Sequence, residues 1–264
     1  MPNERTARGL LGRWAAGDAT VGASCKVPSP VTAEAVAAAG FDYVYVDQQH
    51  GVFDDAELFA TLQAIASAGA APVTRVPVNR AELIHKSLDL GAAGVIIPQV
   101  ESAAEAAAAA AACRYPPEGN RSYGVLRPRT AWYEELAGHA RPACIVLVES
   151  ERGMAELDTI AATDGVDAVM IGPQDLAYSM GIPLRGAWLR TPRLQTAFEL
   201  VRTTCERHGR VAGIGASSGA EAQDWLRRGF RLVNIGNDLA YIQNGLRRQL
   251  AATRAAGGNG AVPV

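Results

Sequence analysis

An acidic residue and a histidine stand three positions apart where a strand of buried character ends. The stretch FDYVYVDQQHG begins at Phe41 with aromatic and valine residues and reaches Asp47 and His50 directly before a glycine. A turn needs only Gly, Asn or Asp, so an acid and a histidine at this place indicate a base and the group that orients it. Taken alone, His50 fits a structural histidine equally well.

Two further carboxylates follow two consecutive predicted strands. Glu149 comes directly after the aliphatic run IVLV, where a buried charge is costly unless it is paired or bound to a cation. Asp175 closes the turn of Gly172, Pro173, Gln174 and Asp175 after the next strand. Because adjacent strands lie about 4.8 Å apart, both carboxylates can share one hard divalent ion. A salt bridge for Glu149 and a helix cap for Asp175 are the alternative.

Two cationic residues fall near the ends of predicted strands. Arg75 interrupts the run VTRVPV, and a guanidinium in a buried strand suits bidentate binding of a carboxylate or of a developing oxyanion. A structural ion pair of Arg75 with Asp47 or Glu149 is the other interpretation. Lys26 is the only conceivable Schiff-base amine, because the one other lysine is Lys86. We rank a Schiff base far below a metal route.

The elements that must position these residues are eight apolar runs of strand length. They show little alternation, as do parallel strands covered on both faces. The runs are TVGASCKV, FDYVYVD, APVTRV, AAGVIIP, ACIVLVE, VDAVMIG, RVAGIGA and FRLVNIG. Helical stretches separate them, and their predicted starts are Thr32, Asp54, Asn79, Ser102, Thr191-Pro192, Ser218 and Asn237.

Strand and helix thus alternate eight times, which predicts an α/β fold of the (β/α)8 TIM barrel type. An open doubly wound sheet is the second choice. We expect one domain over residues 1–256 and a frayed tail, GGNGAVPV, over 257–264. In a (β/α)8 barrel the chemistry sits at the carboxyl ends of the strands, which is where the residues above are predicted to lie.

Composition bounds the function classes. The chain has 264 residues, 48% of them hydrophobic, a net charge of -2 and 20% charged residues. This gives no electrostatic footprint for nucleic acid or an anionic membrane. No apolar run approaches the roughly 18 residues that a membrane span needs, and the first residues lack a signal-peptide core. We therefore expect a cytoplasmic protein whose four scattered cysteines are reduced, buried thiols.

One long connection is expected to cover the site. The stretch RYPPEGNRSYGVLRPRTAWYEEL runs from Arg114 to Leu136 after the fourth strand. Its prolines and glycines forbid a continuous helix. Long loops on the catalytic face of a barrel usually cover a site.

Six stretches together carry a resemblance to a known family. They are AAGFDYVYVDQQHG, PVTRVP, GAAGVIIPQVES, RYPPEGNRSYG, LVESERG and VDAVMIGPQDLAYSMG. In this order they resemble the HpcH/HpaI aldolase family, the metal-dependent class II pyruvate aldolases, over roughly residues 5 to 255. The resemblance implies a (β/α)8 barrel that assembles as a homohexamer, a trimer of dimers, with the last helix commonly exchanged between subunits.

The resemblance also implies the roles of the site residues. A divalent ion (Mg, Mn, Co or Zn) would be held by Glu149 and Asp175 and chelated by pyruvate. Arg75 would face the keto oxygen that becomes the enolate. His50 would be the base, with Asp47 fixing its tautomer.

The amides of the turn from Gly172 through Pro173 and Gln174 to Asp175 would hold the carboxylate of pyruvate. The implied activity is reversible cleavage of a 4-hydroxy-2-oxo acid to pyruvate and an aldehyde. An oxaloacetate-type decarboxylase that forms the same enolate is the first alternative, and cleavage of a CoA thioester is a more distant one. A catalytically idle barrel that binds an oxo acid is the alternative outside enzymes.

This chain departs from the family pattern at two site positions. Gln49 stands where many relatives have Glu, and Leu147 stands where relatives often have Gln. Both changes bear on the natural substrate and make the aldehyde subsite different in charge and polarity. The loop residues expected to help select the aldehyde, from the same or a neighbouring subunit, are Arg121, Tyr123, Arg127 and Arg129.

Overall fold

Eight parallel strands close into a barrel in the computed structural model, which describes residues 9–124 and 141–256. The strands are β1 (Thr20–Cys25), β2 (Tyr43–Asp47), β3 (Ala71–Arg75), β4 (Gly94–Ile97), β5 (Ala143–Val148), β6 (Ala168–Ile171), β7 (Val211–Ala216) and β8 (Leu232–Asn237). Each pairs with its sequence neighbour, and β1 pairs with β8. That closing pair confirms the predicted (β/α)8 barrel and excludes the open doubly wound sheet.

Helices alternate with the strands and form the outer layer. They are α1 (Gly9–Ala15), α2 (Pro30–Ala38), α3 (Asp55–Ser67), α4 (Ala81–Asp89), α5 (Ala103–Ala112), α6 (Glu151–Ala155), α7 (Leu157–Ala162), α8 (Pro173–Ser179), α9 (Pro192–Arg207), α10 (Gly219–Arg227) and α11 (Asp238–Ala256). In the described part of the chain no helix is long and apolar enough to cross a membrane.

The strands separate two apolar clusters, as alternating side chains must. Tyr45, Val73 and Leu147 belong to the inner cluster, which consists of strand residues closed off by α1. The outer cluster joins the other strand positions to the helices. One pleat beyond the inner cluster, Asp47, Arg75 and Glu149 therefore project inward at the carboxyl ends of β2, β3 and β5. We call this end the mouth of the barrel.

Several predicted helix starts are confirmed. Asp54 caps α3 in a reciprocal capping box with Glu57, and Ser102 and Ser218 cap α5 and α10 through their side chains. Such caps satisfy amides that have no acceptor within the helix, each typically contributing about 1 kcal/mol.

Two predicted starts are wrong. α2 begins at Pro30 with Ser29 as its cap, and the Thr32 amide donates to the Ser29 hydroxyl rather than Thr32 capping the helix. α4 begins after Arg80 without a side-chain cap. The Asn79 side chain instead donates to the backbone oxygen of Glu105 at 3.1 Å. In both cases a neighbouring residue or a tertiary contact takes the place of the expected local cap.

The predicted covering loop lies at the other end of the barrel, as far as it is described. Arg114 donates to the backbone oxygen of Pro142 at 2.9 Å and to Asp167 at 3.0 Å, directly before β5 and β6. Arg121 donates to Asp89, the last residue of α4, at 2.8 Å. The expectation that residues 114–124 cover the mouth of their own barrel is therefore wrong. The reason is that α5 carries the chain back before the loop begins.

Some predictions fall outside the described residues. Arg127 and Arg129, and the tail 257–264, lie there, so the domain boundary at residue 256 stays a prediction. The four cysteines are free and buried, as expected for reduced thiols.

Candidate active site

On the β2–β3 side of the mouth, Asp47 and Arg75 form an ion pair. Asp47 and Arg75 are direct register partners at the ends of their strands. The Arg75 guanidinium donates from Nε to Asp47 Oδ1 at 2.9 Å and from Nη2 to Oδ2 at 2.5 Å. Burial works against ionisation of Asp47, but the hydrogen bonds and charge of Arg75 outweigh it and lower the pKa of this carboxyl. The pair therefore stays ionised at neutral pH.

The same carboxylate also shapes the turn that carries His50. Asp47 Oδ1 accepts from the backbone amides of Gln49 at 3.2 Å and His50 at 3.1 Å. Gly51 allows this turn, because a Cβ there would lie 2.3 Å from the Asp47 backbone oxygen. The His50 side chain is exposed at the mouth, and the described hydrogen bonds of Asp47 reach its amide rather than its ring. Asp47 thus orients His50 through the backbone, whereas a contact that fixes the tautomer was expected.

Two neighbouring side chains complete this side. The Tyr45 ring lies 5.8 Å from the Arg75 guanidinium carbon, and burial raises the pKa of Tyr45. The Gln49 side-chain oxygen is buried without a hydrogen-bond partner in the described part of the chain. A buried amide oxygen without a partner is costly, so Gln49 leaves an unsatisfied acceptor beside the site.

The β5–β6 side is built from like charges. Glu149 directly follows β5 and has 6% of its surface exposed, and its Oε1 accepts from the Gln99 amide at 3.1 Å. Asp175 lies exposed in the first turn of α8, whose cap position, Gly172, makes no side-chain cap bond. Asp175 therefore lies within the first turn of α8 rather than at its cap position. Glycine is required at 172, since a Cβ would lie 2.5 Å from Glu149 Oε2.

The electrostatic interaction between Glu149 and Asp175 is unfavourable. Burial and the negative charge of Asp175 raise the pKa of Glu149 from 4.5 to about 7, so the two carboxyl groups are close enough to interact. Two carboxylates that lie so close repel each other unless a proton or a cation lies between them. The donor set fits a divalent ion, which accepts one or two carboxylates and leaves its other positions to substrate or water.

Among the described residues, two side chains, Glu149 and Asp175, would be the protein ligands of such an ion. No group of three or more His, Cys, Asp or Glu side chains that could hold a metal occurs in residues 9–124 and 141–256. Glu149 and Asp175 would therefore leave most coordination positions to small molecules. This is the arrangement expected where a substrate must bind to the ion directly.

The remaining predicted site residues lie in three places. Pro173 and Gln174 form the first turn of α8 beside Glu149, where helix amides lack intrahelical acceptors. Leu147 is buried beneath Glu149 in the inner cluster. Arg121 is 8% exposed beside Asp89, and Tyr123 is 82% exposed, both at the end of the barrel opposite the mouth. Within one chain, Arg121 and Tyr123 do not meet the other site residues.

Comparison with known proteins identifies the family of this chain. The family model described as HpcH/HpaI aldolase/citrate lyase matches residues 26–245. The 5-keto-4-deoxy-D-glucarate aldolase of Salmonella arizonae is 35% identical over 239 residues, which cover 89% of this chain and 92% of that protein. This chain belongs to the HpcH/HpaI aldolase/citrate lyase family. At this identity over most of the chain, it is a carbon–carbon lyase.

Solved structures of HpcH/HpaI proteins have the same barrel. A family member from Burkholderia cenocepacia J2315 is 32% identical with a TM-score of 0.85, covering 93% of this chain and 98% of the other. The HpcH/HpaI aldolase from Desulfitobacterium hafniense DCB-2 is 26% identical with a TM-score of 0.87, covering 97% and 100%. The barrel of this HpcH/HpaI chain is thus shared over nearly its whole length.

Sequence reasoning missed one member of this HpcH/HpaI site. Among the described residues that are not glycine, Gln99 alone has a positive φ, of 54°. This conformation costs about 1 kcal/mol or more and persists only where the surroundings impose it. Here it directs the Gln99 amide at Glu149. The only signal in the sequence is the position of Gln99, directly after Pro98 at the end of a predicted strand.

Proposed function

We propose that this HpcH/HpaI protein is a metal-dependent aldol lyase that cleaves a 4-hydroxy-2-oxo acid to pyruvate and an aldehyde, reversibly. The observation that carries the proposal is the pair of Glu149 and Asp175, with the pKa of Glu149 raised to about 7 by burial and by Asp175. Across the same mouth lies the Arg75 guanidinium, held by Asp47.

Glu149 and Asp175 would hold a divalent ion, with Mg, Mn, Co and Zn as the candidates. When bound, such an ion supplies a Lewis acid next to the oxygens of the oxo acid. The Gln99 amide keeps Glu149 Oε1 in place. The backbone amides of Gln174 and Asp175 in the first turn of α8 would bind the carboxylate of pyruvate, because Pro173 has no N–H and the Gly172 amide already donates to the Val148 oxygen at 3.2 Å.

Arg75 would stabilise the oxygen on which negative charge develops when pyruvate loses a methyl proton. Its fork is already fixed by two hydrogen bonds to Asp47, so little reorganisation is needed as the charge forms. The buried Asp47 is in this sense a positioning residue for Arg75 and for the turn that carries His50.

His50 would move the proton. Its side chain is exposed at the mouth, while its backbone is held by Asp47. An imidazole is suited to general acid–base transfer near neutral pH. His50 would take a methyl proton from pyruvate in the synthetic direction and return it in cleavage.

The curated relatives indicate which substrate to assay first. The similar protein from Salmonella arizonae is a 5-keto-4-deoxy-D-glucarate aldolase, so we propose that acid or a close 4-hydroxy-2-oxo acid for this chain. Gln49, with its buried oxygen lacking a partner, and the apolar Leu147 beneath Glu149 would adjust the preference for the aldehyde half.

We also propose the homohexamer that the family resemblance implies. Arg121 and Tyr123 could then reach a mouth only from another subunit. α11 supports association because it exposes apolar side chains, namely Leu239, Ile242, Leu246 and Leu250. Light scattering on the purified protein tests the assembly, and a monomer at micromolar concentration would contradict it.

Hydrogen exchange at the methyl group of pyruvate tests the lyase proposal. We expect the protein loaded with Mn²⁺ or Mg²⁺ to exchange these protons in deuterium oxide, and we expect EDTA to stop the exchange. Absence of exchange in the metal-loaded protein would overturn the proposal. Release of carbon dioxide from oxaloacetate without cleavage of any hydroxy-oxo acid would instead support a decarboxylase.

A further inference from the structure

Lys26 brings a second cation to the mouth, next to the ion pair already described. It follows Cys25, whose register partner on β2 is Val46, so Lys26 stands level with Asp47. Its Nζ lies 3.8 Å from Asp47 Oδ2, and 33% of the side chain is exposed. Lys26 therefore reaches over the mouth and is still accessible from it.

Asp47 cannot fully engage this ammonium group. Its Oδ1 accepts from Arg75 and from the amides of Gln49 and His50, and its Oδ2 accepts from Arg75 at 2.5 Å. A separation of 3.8 Å exceeds a hydrogen bond. Within residues 9–124 and 141–256, the Lys26 ammonium makes no hydrogen bond, so its three donors are available to a ligand.

The backbone that carries Lys26 is firmly held. Its amide and that of Val27 donate to the two oxygens of buried Asp238, at 3.0 and 3.1 Å. The Lys26 backbone oxygen lies close to Gly51, where a Cβ would be 3.1 Å away. The position of the side chain is therefore fixed at its base.

The place of Lys26 matches the far end of a substrate. In the closed barrel, β1 is four strands away from β5 in either direction, so Lys26 and Glu149 face each other across the mouth. An oxo acid held at Glu149, Asp175 and Arg75 would extend its aldehyde half away from β5. Arg75 is assigned to the keto oxygen, and at that far side Lys26 offers a further positive charge.

We propose that Lys26 is a specificity-determining residue that binds a carboxylate at the far end of the aldehyde half. It favours 4-hydroxy-2-oxo acids with a second carboxylate, and anionic aldehydes over neutral ones in the reverse direction. This inference rests on the lyase function proposed above. It assigns Lys26 a role in recognition rather than in Schiff-base chemistry.

The test uses pairs of aldehyde acceptors with equal chain length, in which one aldehyde is anionic and the other is neutral. Addition of pyruvate to glyoxylate and acetaldehyde, and to succinic semialdehyde and butanal, is measured for wild type, Lys26→Gln and Lys26→Arg. We expect Lys26→Gln to lower kcat/KM about 10- to 100-fold for an anionic aldehyde, as for loss of a charge-assisted hydrogen bond. We expect less than about a threefold change for its neutral partner, and Lys26→Arg to keep the preference.

The other lysine provides the matched control. Lys86 pairs with Asp55 on exposed surface, at 2.9 Å, and Lys86→Gln should leave both kinds of acceptor unchanged. Equal loss on anionic and neutral acceptors in Lys26→Gln, or no loss on either, would overturn the proposal. Trapping of a pyruvate adduct by borohydride in wild type but not in Lys26→Gln would also overturn it, in favour of a Schiff base.

A binding measurement separates this proposal from the lyase function. Calorimetry compares 2-oxoglutarate with 2-oxopentanoate, which has the same length without the second carboxylate. Wild type should prefer 2-oxoglutarate about tenfold or more, and Lys26→Gln should lose that preference. If wild type has the preference but fails to exchange pyruvate protons, the lyase function fails and Lys26 keeps its role. Equal binding of both acids by wild type would overturn the role of Lys26.

Discussion

The two sides of the mouth have opposite electrostatic designs. On the β2–β3 side, Asp47 and Arg75 are opposite charges joined by two hydrogen bonds, and Arg75 lowers the pKa of Asp47 against the effect of burial. On the β5–β6 side, Glu149 and Asp175 are like charges, and the pKa of Glu149 is raised to about 7. The first pair is complete within the protein, whereas the second needs a further positive charge.

This difference separates the two tasks of the site. A self-satisfied ion pair holds a guanidinium rigid, which favours stabilisation of charge at a fixed place. A buried carboxylate next to a second carboxylate is suited to accept a cation. The comparison predicts that changes on the first side affect orientation and that changes on the second side affect metal binding.

The largest effect is expected from a change in the ion pair of Asp47 and Arg75. Arg75→Lys keeps the charge but loses the bidentate fork, so we expect pyruvate proton exchange to slow by about 100- to 1000-fold with Mn²⁺ affinity unchanged. Arg80→Lys is the control, since Arg80 is exposed and pairs with Glu82. A wild-type exchange rate in Arg75→Lys would reject the role of Arg75.

The next largest effect concerns the stability of the metal-free protein and its dependence on the protonation of Glu149. Between pH 4.5 and about 7, the folded metal-free protein keeps a proton on Glu149 that the unfolded chain has released. The free energy of unfolding should therefore fall as pH rises through this window, by up to about 3 kcal/mol. Glu149→Gln should lack this loss, so the variant should become the more stable protein at pH 8.

Urea denaturation in EDTA at pH 5 and pH 8 measures this difference, with the exposed Glu118→Gln as control. Added Mn²⁺ should remove the loss of stability in wild type. An identical dependence on pH in wild type and Glu149→Gln would show that Glu149 is not held in a strained, like-charge environment.

A smaller effect tests the support of Glu149. Gly172→Ala would place a Cβ 2.5 Å from Glu149 Oε2 without backbone strain, because φ at Gly172 is -94°. The carboxylate must shift, and we expect Mn²⁺ affinity to fall about tenfold, as for other disturbed ligand supports. Gly215→Ala is a matched control in β7, where nothing lies within 4 Å of the added Cβ. Equal affinities in the two variants would contradict this packing.

The smallest effect concerns Gln99, which has a positive φ and whose amide donates to Glu149. Gln99→Gly keeps the amide that donates to Glu149 but relieves the positive φ. We expect a stability gain of less than about 1 kcal/mol and unchanged metal affinity, whereas Gln99→Ala should show no gain. A loss of metal affinity in Gln99→Gly would mean that the side chain, rather than the amide, acts at the site.

The sequence predicted that Asp47, Arg75 and Glu149 lie at the mouth, because they stand at the ends of aliphatic runs and the carboxyl ends of all eight parallel strands meet there. The partner of Arg75 could not be predicted, since only the strand register decides that it meets Asp47 rather than Glu149. The strained φ of Gln99 could not be predicted either, because nothing in the amino-acid composition indicates it. The loop around Arg121 was misplaced because its end of the barrel depends on the path of α5.

Calorimetric titration of the metal-free protein with Mn²⁺ tests the central claim, that Glu149 and Asp175 together hold a divalent ion. We expect one site per chain in wild type, release of protons near pH 7 as Glu149 ionises, and loss of that site in both Glu149→Gln and Asp175→Asn. Binding of Mn²⁺ with wild-type affinity in either variant would contradict it.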